Sequence, residues 1–392
     1  MTFLELFFDL VFVVVISQLA RRLAQHPTWG GAGWFVFLFY AVWSSWNNGT
    51  QYHDLHGTDD VSARVFTFGQ MLAVAVMAAF IADVPGAGSD GFAWGFAANT
   101  LLLVILWFRT GVHDPHHRPA SVPYSIAYLI SALLFITSTV AGDPARYWLW
   151  AVALAIQLAG LIVAFRRWTP PESQSGEAVI ATTPSLIERY GLFVIIVLGE
   201  VIVGAVNGMA QVTPLSVDEV VIGLLGMLVA IGLWWLYFDL ISHREPVSRY
   251  TQAWLQFHLP LVIAIAAGGA GVLNTVERAS ETLPDGVRWL LVGALACALF
   301  SVAAISRTLE IRRRAREIYR PAEIAIFVSA VLSLAVGLTG WQAKGSLTAM
   351  VVLLLAPVAT GITVWLKHTE PTAMDIEGNV ARDRMRPEVG RR

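Results

Sequence analysis

A chain of 392 residues that is 56% hydrophobic and 14% charged, with a mean hydropathy of +0.62, is not a soluble domain, in which about a quarter of residues are charged. The formal net charge is −2, and no nucleic-acid partner is expected. A single cysteine, Cys297, excludes an intrachain disulfide framework.

Twelve stretches are apolar over about 20 residues, the length that crosses a hydrocarbon core about 30 Å thick. They run roughly Phe3–Leu23, Gly33–Tyr52, Ala63–Asp83, Phe92–Val112, Val122–Ala141, Tyr147–Phe165, Leu186–Met209, Val217–Ile241, Ala253–Val276, Trp289–Ile305, Ala322–Gly340 and Leu347–Leu366. Their length excludes a transmembrane barrel. The expected fold is therefore an all-α polytopic membrane protein. No cleavable signal peptide is expected, because the first apolar run opens with acids rather than a basic region. Only Arg21, Arg22, Arg146, Arg278, Arg288 and Lys344 of the 26 basic residues fall on one face; the rest fall on the other. The positive-inside rule then places both termini in the cytoplasm.

The long polar connection RRWTPPESQSGEAVIATTP, Arg166 to Pro184, divides the spans six and six. The expected organisation is a first six-helix repeat over 1–167 and a polar cytoplasmic linker over 168–184. A second repeat over 185–367 and a disordered, polar cytoplasmic tail over 368–392 follow. An even number of spans per half makes the repeats parallel. The halves share details. ELFFDLVFVVVISQL at Glu5–Leu19 is answered by ERYGLFVIIVLGEVIVG at Glu188–Gly204, so Glu5 falls opposite Glu188. Trp46 in the second span falls opposite Trp235 in the eighth, and Arg118-Pro119 and Arg320-Pro321 open the fifth and eleventh.

These two acid-led motifs, with WWLYFD at Trp234–Asp239 and the two Arg-Pro pairs, resemble the bacterial low temperature requirement protein A (LtrA) family. The resemblance runs from Phe3 to about Leu366. It implies a multi-pass protein of the bacterial inner membrane, linked by name to growth in the cold, and it carries no catalytic residues over.

Acids inside a membrane span are costly, about 2.5–3.5 kcal/mol on insertion scales, and generally face the bundle interior. Glu5 and Asp9 are four apart and share a helix face. Both lie near the cytoplasmic surface, where capping the helix or pairing with Arg109, Arg189 or Arg244 is the plainer role. Glu188 opens the seventh span. Glu200 lies twelve residues on, about 18 Å deeper, where Gly199 and Gly204 would let another backbone approach. Asp239 lies near the end of the eighth span. Gly204 and Gly208 have small-residue spacing that reads as packing inside the fold rather than a dimer face. The second span ends with Asn47, Asn48, Gln51, Tyr52, His53 and Asp54 behind Trp43 and Trp46. That end reads either as a ligand cavity or as an interfacial belt. His113, His116 and His117, with His53 and His56, form one H-x-x-H-H string and one H-x-x-H. They are candidate metal ligands beside Asp54, Asp59, Asp60 and Asp114, although solvated loop histidines are the plainer reading.

No nucleotide-binding loop, hydrolase elbow or zinc-protease motif is present. No motif requires a cofactor. The leading expectation is a secondary transporter or permease whose site holds an unknown small molecule or ion. Its candidate residues are Glu5, Asp9, Glu188, Glu200, Asp239, Trp43, Trp46, Asn47, Gln51 and Arg109. The alternative is a membrane enzyme acting on a lipid or other apolar substrate, with metal at the histidines. A sensor, channel or scaffold is the third reading. The bilayer itself is a partner, and a homo-oligomer remains open.

Overall fold

A computed structural model describes residues 3–56, 61–167, 182–279 and 281–384, with side chains placed except at 165–167 and beyond 363. The described residues form thirteen α-helices. These are α1 (Phe3–Gln25), α2 (Trp29–His56), α3 (Val61–Phe80), α4 (Ser89–His113), α5 (Arg118–Ser138) and α6 (Ala145–Arg167) in the first half. The second half holds α7 (Pro184–Gln211), α8 (Val217–Leu240), α9 (Thr251–Glu277), α10 (Asp285–Ser306), the single turn α11 (Ile311–Arg314), α12 (Arg316–Gly337) and α13 (Ala343–Arg384).

Eleven of these helices are long and apolar enough to cross a membrane. The twelfth expected span corresponds to α2, which is long but not apolar enough. The reason is its second half. From Ala41 to Tyr52 every residue is buried, including Ser44, Ser45, Asn47, Asn48, Thr50 and Gln51. A helix enclosed by protein on every side needs no lipid-facing apolar surface.

Local sequence explains several helix starts. Thr183 caps α7 by accepting from the Leu186 amide at 3.0 Å, and Pro184 supplies the first helical residue. The Thr183 hydroxyl donates in turn to Asp54, which ties the start of α7 to the end of α2. Ser216 and Glu219 form a capping box at the start of α8. Arg118-Pro119 opens α5 as expected, but α12 begins at Arg316, so Arg320-Pro321 falls inside it. The last helix continues to Arg384, through much of the segment expected to be a disordered tail; residues 385–392 and most of the linker, 168–181, lie outside the described residues.

In the first half α1 packs on α2 and α3, α2 and α3 on α4, α4 on α5, and α5 on α6. In the second, α7 packs on α8 and α9, α8 and α9 on α10, α10 on α12, and α12 on α13. The halves meet where α1 and α2 press against α7 and α9. Within the second half α7 and α9 pack closely. A Cβ on Gly204 would lie 2.3 Å from the Gly269 carbonyl oxygen, and one on Gly208 2.8 Å from Val276 Cβ. The pair therefore packs inside the fold, as its spacing suggests. Gly199 has open space where a Cβ would stand, so it permits no such approach.

Candidate functional site

The seam between the halves is polar at the level of Asp9, four residues from Glu5 on α1. Asp9 is 0% exposed, and Arg189 on α7 is 1% exposed. Arg189 Nη2 donates to Asp9 Oδ1 at 3.3 Å, and Trp46 Nε1 donates to the same oxygen at 2.8 Å. Glu5 Oε1 lies 3.9 Å from Arg189 Nη1. One guanidinium thus answers two carboxylates, which lets the acids share a helix face without mutual repulsion deciding the matter. The match is incomplete: Asp9 Oδ2 and Arg189 Nε and Nη1 are buried without a hydrogen bond.

Aromatic rings fix these groups. Trp46 stacks on Phe193, with centroids 4.0 Å apart and planes at 19°, and meets the edge of Tyr190 at 5.1 Å. The Tyr190 hydroxyl donates to Asn47 Oδ1, so α2 and α7 are joined twice. Tyr190 also packs against Trp254 and His258 of α9. The Trp254 carbonyl accepts from His258 Nδ1 at 2.7 Å, which leaves Nε2 of the neutral ring to accept from the Tyr237 hydroxyl at 3.0 Å. A chain of rings therefore leads from Asp9 to α8.

On α2 the neighbouring Asn48 Oδ1 and Gln51 Nε2 are buried without hydrogen-bond partners, as are both amide atoms of Gln70 and of Asn99. Trp43 is buried and its Nε1 has no partner. Buried amides of this kind generally carry partners, so their concentration here is a property to explain.

Of the predicted site residues, the structure gathers Glu5, Asp9, Trp46 and Asn47, with Trp43 and Gln51 buried along the same helix. The others go elsewhere. Glu188 is exposed, because Arg189 and not its neighbour faces α1. Trp235, the residue set opposite Trp46, is 39% exposed where Trp46 is 0%. Arg109 is exposed and donates to Ser62. Asp239 is exposed and lines a separate cavity. Glu200 is buried beside Ser17 and Arg21 of α1, eleven residues from Arg189 and so about 16 Å along α7. Gly269 approaches its backbone: a Cβ there would lie 2.7 Å from the Glu200 carbonyl oxygen.

The histidines divide. His117 hydrogen-bonds Asp114 at 2.6 Å and holds that carboxyl below the usual carboxylate range. The His117 ring lies 4.5 Å from that of His56. His113 and His116 are exposed, while His53 lies against Thr67 and Phe8. Among the described residues no three His, Cys, Asp or Glu side chains are placed to hold a metal ion, and Asp59 and Asp60 lie outside those residues.

Residues 1–356 match the family described as "Bacterial low temperature requirement A protein (LtrA)". The chain belongs to the LtrA family. It is a multi-pass membrane protein of that bacterial family. It is also similar to an uncharacterized protein of Rhizobium meliloti (strain 1021), 29% identical over 284 residues that cover 69% of this chain and 68% of the relative. The family match spans both halves of this LtrA chain, and the seam between α1, α2, α7 and α9 lies within it.

Two groups in this LtrA site were not singled out from sequence. His258 and Tyr237 read as ordinary residues of apolar spans, and only their packing shows that they extend the polar chain. Arg189 stood among three possible counter-charges, with nothing in its neighbours to rank it.

Proposed function

We propose that this LtrA protein is a secondary transporter or permease for a small polar solute, which binds at Asp9 and Arg189 between two duplicated halves. The observation that carries the reading is a fully buried ion pair, at the seam of two helix bundles, that leaves Asp9 Oδ2, Arg189 Nε and Arg189 Nη1 without protein hydrogen bonds. Burying an ion pair costs about several kcal/mol per ion after relaxation, and full hydrogen bonding of both partners normally offsets that. A polar solute at these atoms would gain charge-assisted hydrogen bonds.

The neighbour order supports a duplication. The adjacencies α1–α2, α1–α3, α2–α4, α3–α4, α4–α5 and α5–α6 recur as α7–α8, α7–α9, α8–α10, α9–α10, α10–α12 and α12–α13, whereas the packing of α8 on α13 has no counterpart of like extent in α2 on α6. Two bundles with a site at their interface suit alternating access. In this reading the face bearing Glu5, Asp9 and most of the basic residues is cytoplasmic. Trp46 and Asn47 orient the solute, and Glu200, farther along α7, takes up the coupling proton or cation. The enzyme reading draws less support, because the histidines form no ligand set among the described residues.

A binding screen tests this. Purified protein is heated with amino acids, organic acids, sugars and metal cations in turn, and with each solute for Arg189→Gln. At least one polar solute is expected to raise the unfolding temperature of the wild type and not of the variant. Equal shifts in both proteins, or none across the panel, would remove the site from Arg189.

A further inference from the structure

On the same face as Asp9, but within the second half alone, a cavity of about 560 Å³ opens between α8, α11, α12 and α13. Its volume is that of an ordinary ligand pocket. Trp235, Leu240, Ile311, Ala315, Ile318 and Ile362 are among its apolar lining, and Asp239, Arg244 and Tyr319 supply its polar groups. The height of the cavity is set by helix ends. Asp239 and Leu240 finish α8, Ile318 and Tyr319 lie in the first turn of α12, and Ile362 is near the end of the apolar part of α13. The cavity therefore sits at a membrane boundary, with lipid-length apolar helices on one side and polar loops on the other.

The polar groups differ in what they have left to offer. The Tyr319 hydroxyl is engaged, donating to the Leu240 carbonyl at 2.9 Å. Arg244 makes one long bond, from Nη2 to the Asp239 carbonyl at 3.4 Å, and its Nε is buried without a partner. That bond uses the Asp239 backbone, so the Asp239 carboxylate and the Arg244 guanidinium both line the cavity without a hydrogen bond between them. The frame is stiff. Val247 N bonds the Thr308 carbonyl at 2.8 Å and Glu310 N the Glu245 carbonyl at 3.0 Å, which clamps the loop carrying Arg244 to the loop before α11. Arg312 of α11 grips the buried Glu323 of α12 through two bonds of 2.6 and 2.9 Å, and Ser306 adds a third at 3.1 Å.

We infer that this cavity is a phospholipid site with a preference for a zwitterionic phosphoethanolamine headgroup. Arg244 takes the phosphate through its guanidinium, whose fork suits phosphate oxygens. Asp239 takes the headgroup ammonium, and an acyl chain lies against Ile311, Ile318 and Ile362. The lining carries one cation and one anion, Arg244 and Asp239, which matches the opposite charges of a zwitterionic headgroup. The Asp239 carboxylate in the same lining selects against headgroups that lack a cation. An apolar wall at the bilayer boundary favours a lipid over a free phosphate. The site is separate from Asp9 and Arg189, so either assignment stands without the other.

Native mass spectrometry of the full chain decides it, after incubation with mixed micelles holding equal amounts of dioleoyl phosphatidylethanolamine and dioleoyl phosphatidylglycerol. The tightest-bound lipid on the wild type is expected to be phosphatidylethanolamine, by about tenfold, the effect of one charge-assisted hydrogen bond. Asp239→Asn should keep one tight lipid and lose the preference, and Arg244→Gln should lose both lipids. Ile318→Trp, which fills the cavity without altering a charge, should also lose the lipid and guards against misfolding of the arginine variant. Retention by Ile318→Trp, or equal binding of the two lipids by the wild type, would overturn the assignment.

Discussion

Arg189 is one guanidinium set between Asp9 and Glu5, and Asp9 is held in turn by Trp46. Removing one member of a buried pair leaves the other charged and unanswered, at a cost of about 3–5 kcal/mol. Asp9→Asn and Arg189→Gln should each lower the thermal stability of the detergent-solubilised protein by that order. The double variant should lose clearly less than the sum, because it leaves no buried charge behind. Additive losses would mean that the two side chains do not interact. Among the described residues Glu323 is another buried carboxylate, but it differs in kind: Arg312 satisfies it in bidentate fashion, so it reads as a structural anchor rather than a site.

At the scale of the helix, close contact decides which glycines matter. Gly204→Ala would drive a methyl into the Gly269 carbonyl and force α7 from α9, at about 1–3 kcal/mol. Gly199→Ala meets open space and should be neutral or slightly stabilising, since alanine favours a helix. Chemical denaturation of the two variants side by side checks the contrast, and equal losses would refute the α7–α9 seam. The same scale shows what was legible beforehand. Lengths near 20 and apolar composition located the eleven helices long and apolar enough to cross a membrane, because lipid imposes those properties directly. The environment of α2 was not legible as burial, since its polar second half read equally well as an interfacial exit. The partner of Asp9 was not legible either: Arg189 and Arg109 are both arginines near span ends, and only the rotation of α7 about its axis turns one inward. That rotation also explains why Glu188, opposite Glu5 in the aligned motifs, points out. The histidine string offered candidate metal ligands, with solvated loop histidines the plainer reading, because spacing along a chain does not show whether rings converge.

For the whole molecule, the proposal joins two halves, a polar seam and a deeper carboxylate in one transport path. The α2 helix belongs in sequence to the first half yet presses on α7 and α9 of the second, so the proposed path would be bounded by both bundles. Asp9 and Glu200 face that seam from α1 and α7 at different depths, which in the proposed reading would separate solute binding from coupling. The most direct measurement is uptake of the stabilising solute into proteoliposomes, with wild type and Glu200→Gln reconstituted in parallel. The account predicts uptake by the wild type and its loss in Glu200→Gln, while that variant still unfolds at the wild-type temperature and is still stabilised by the solute. Undiminished uptake by Glu200→Gln, or binding without uptake in the wild type, would contradict it.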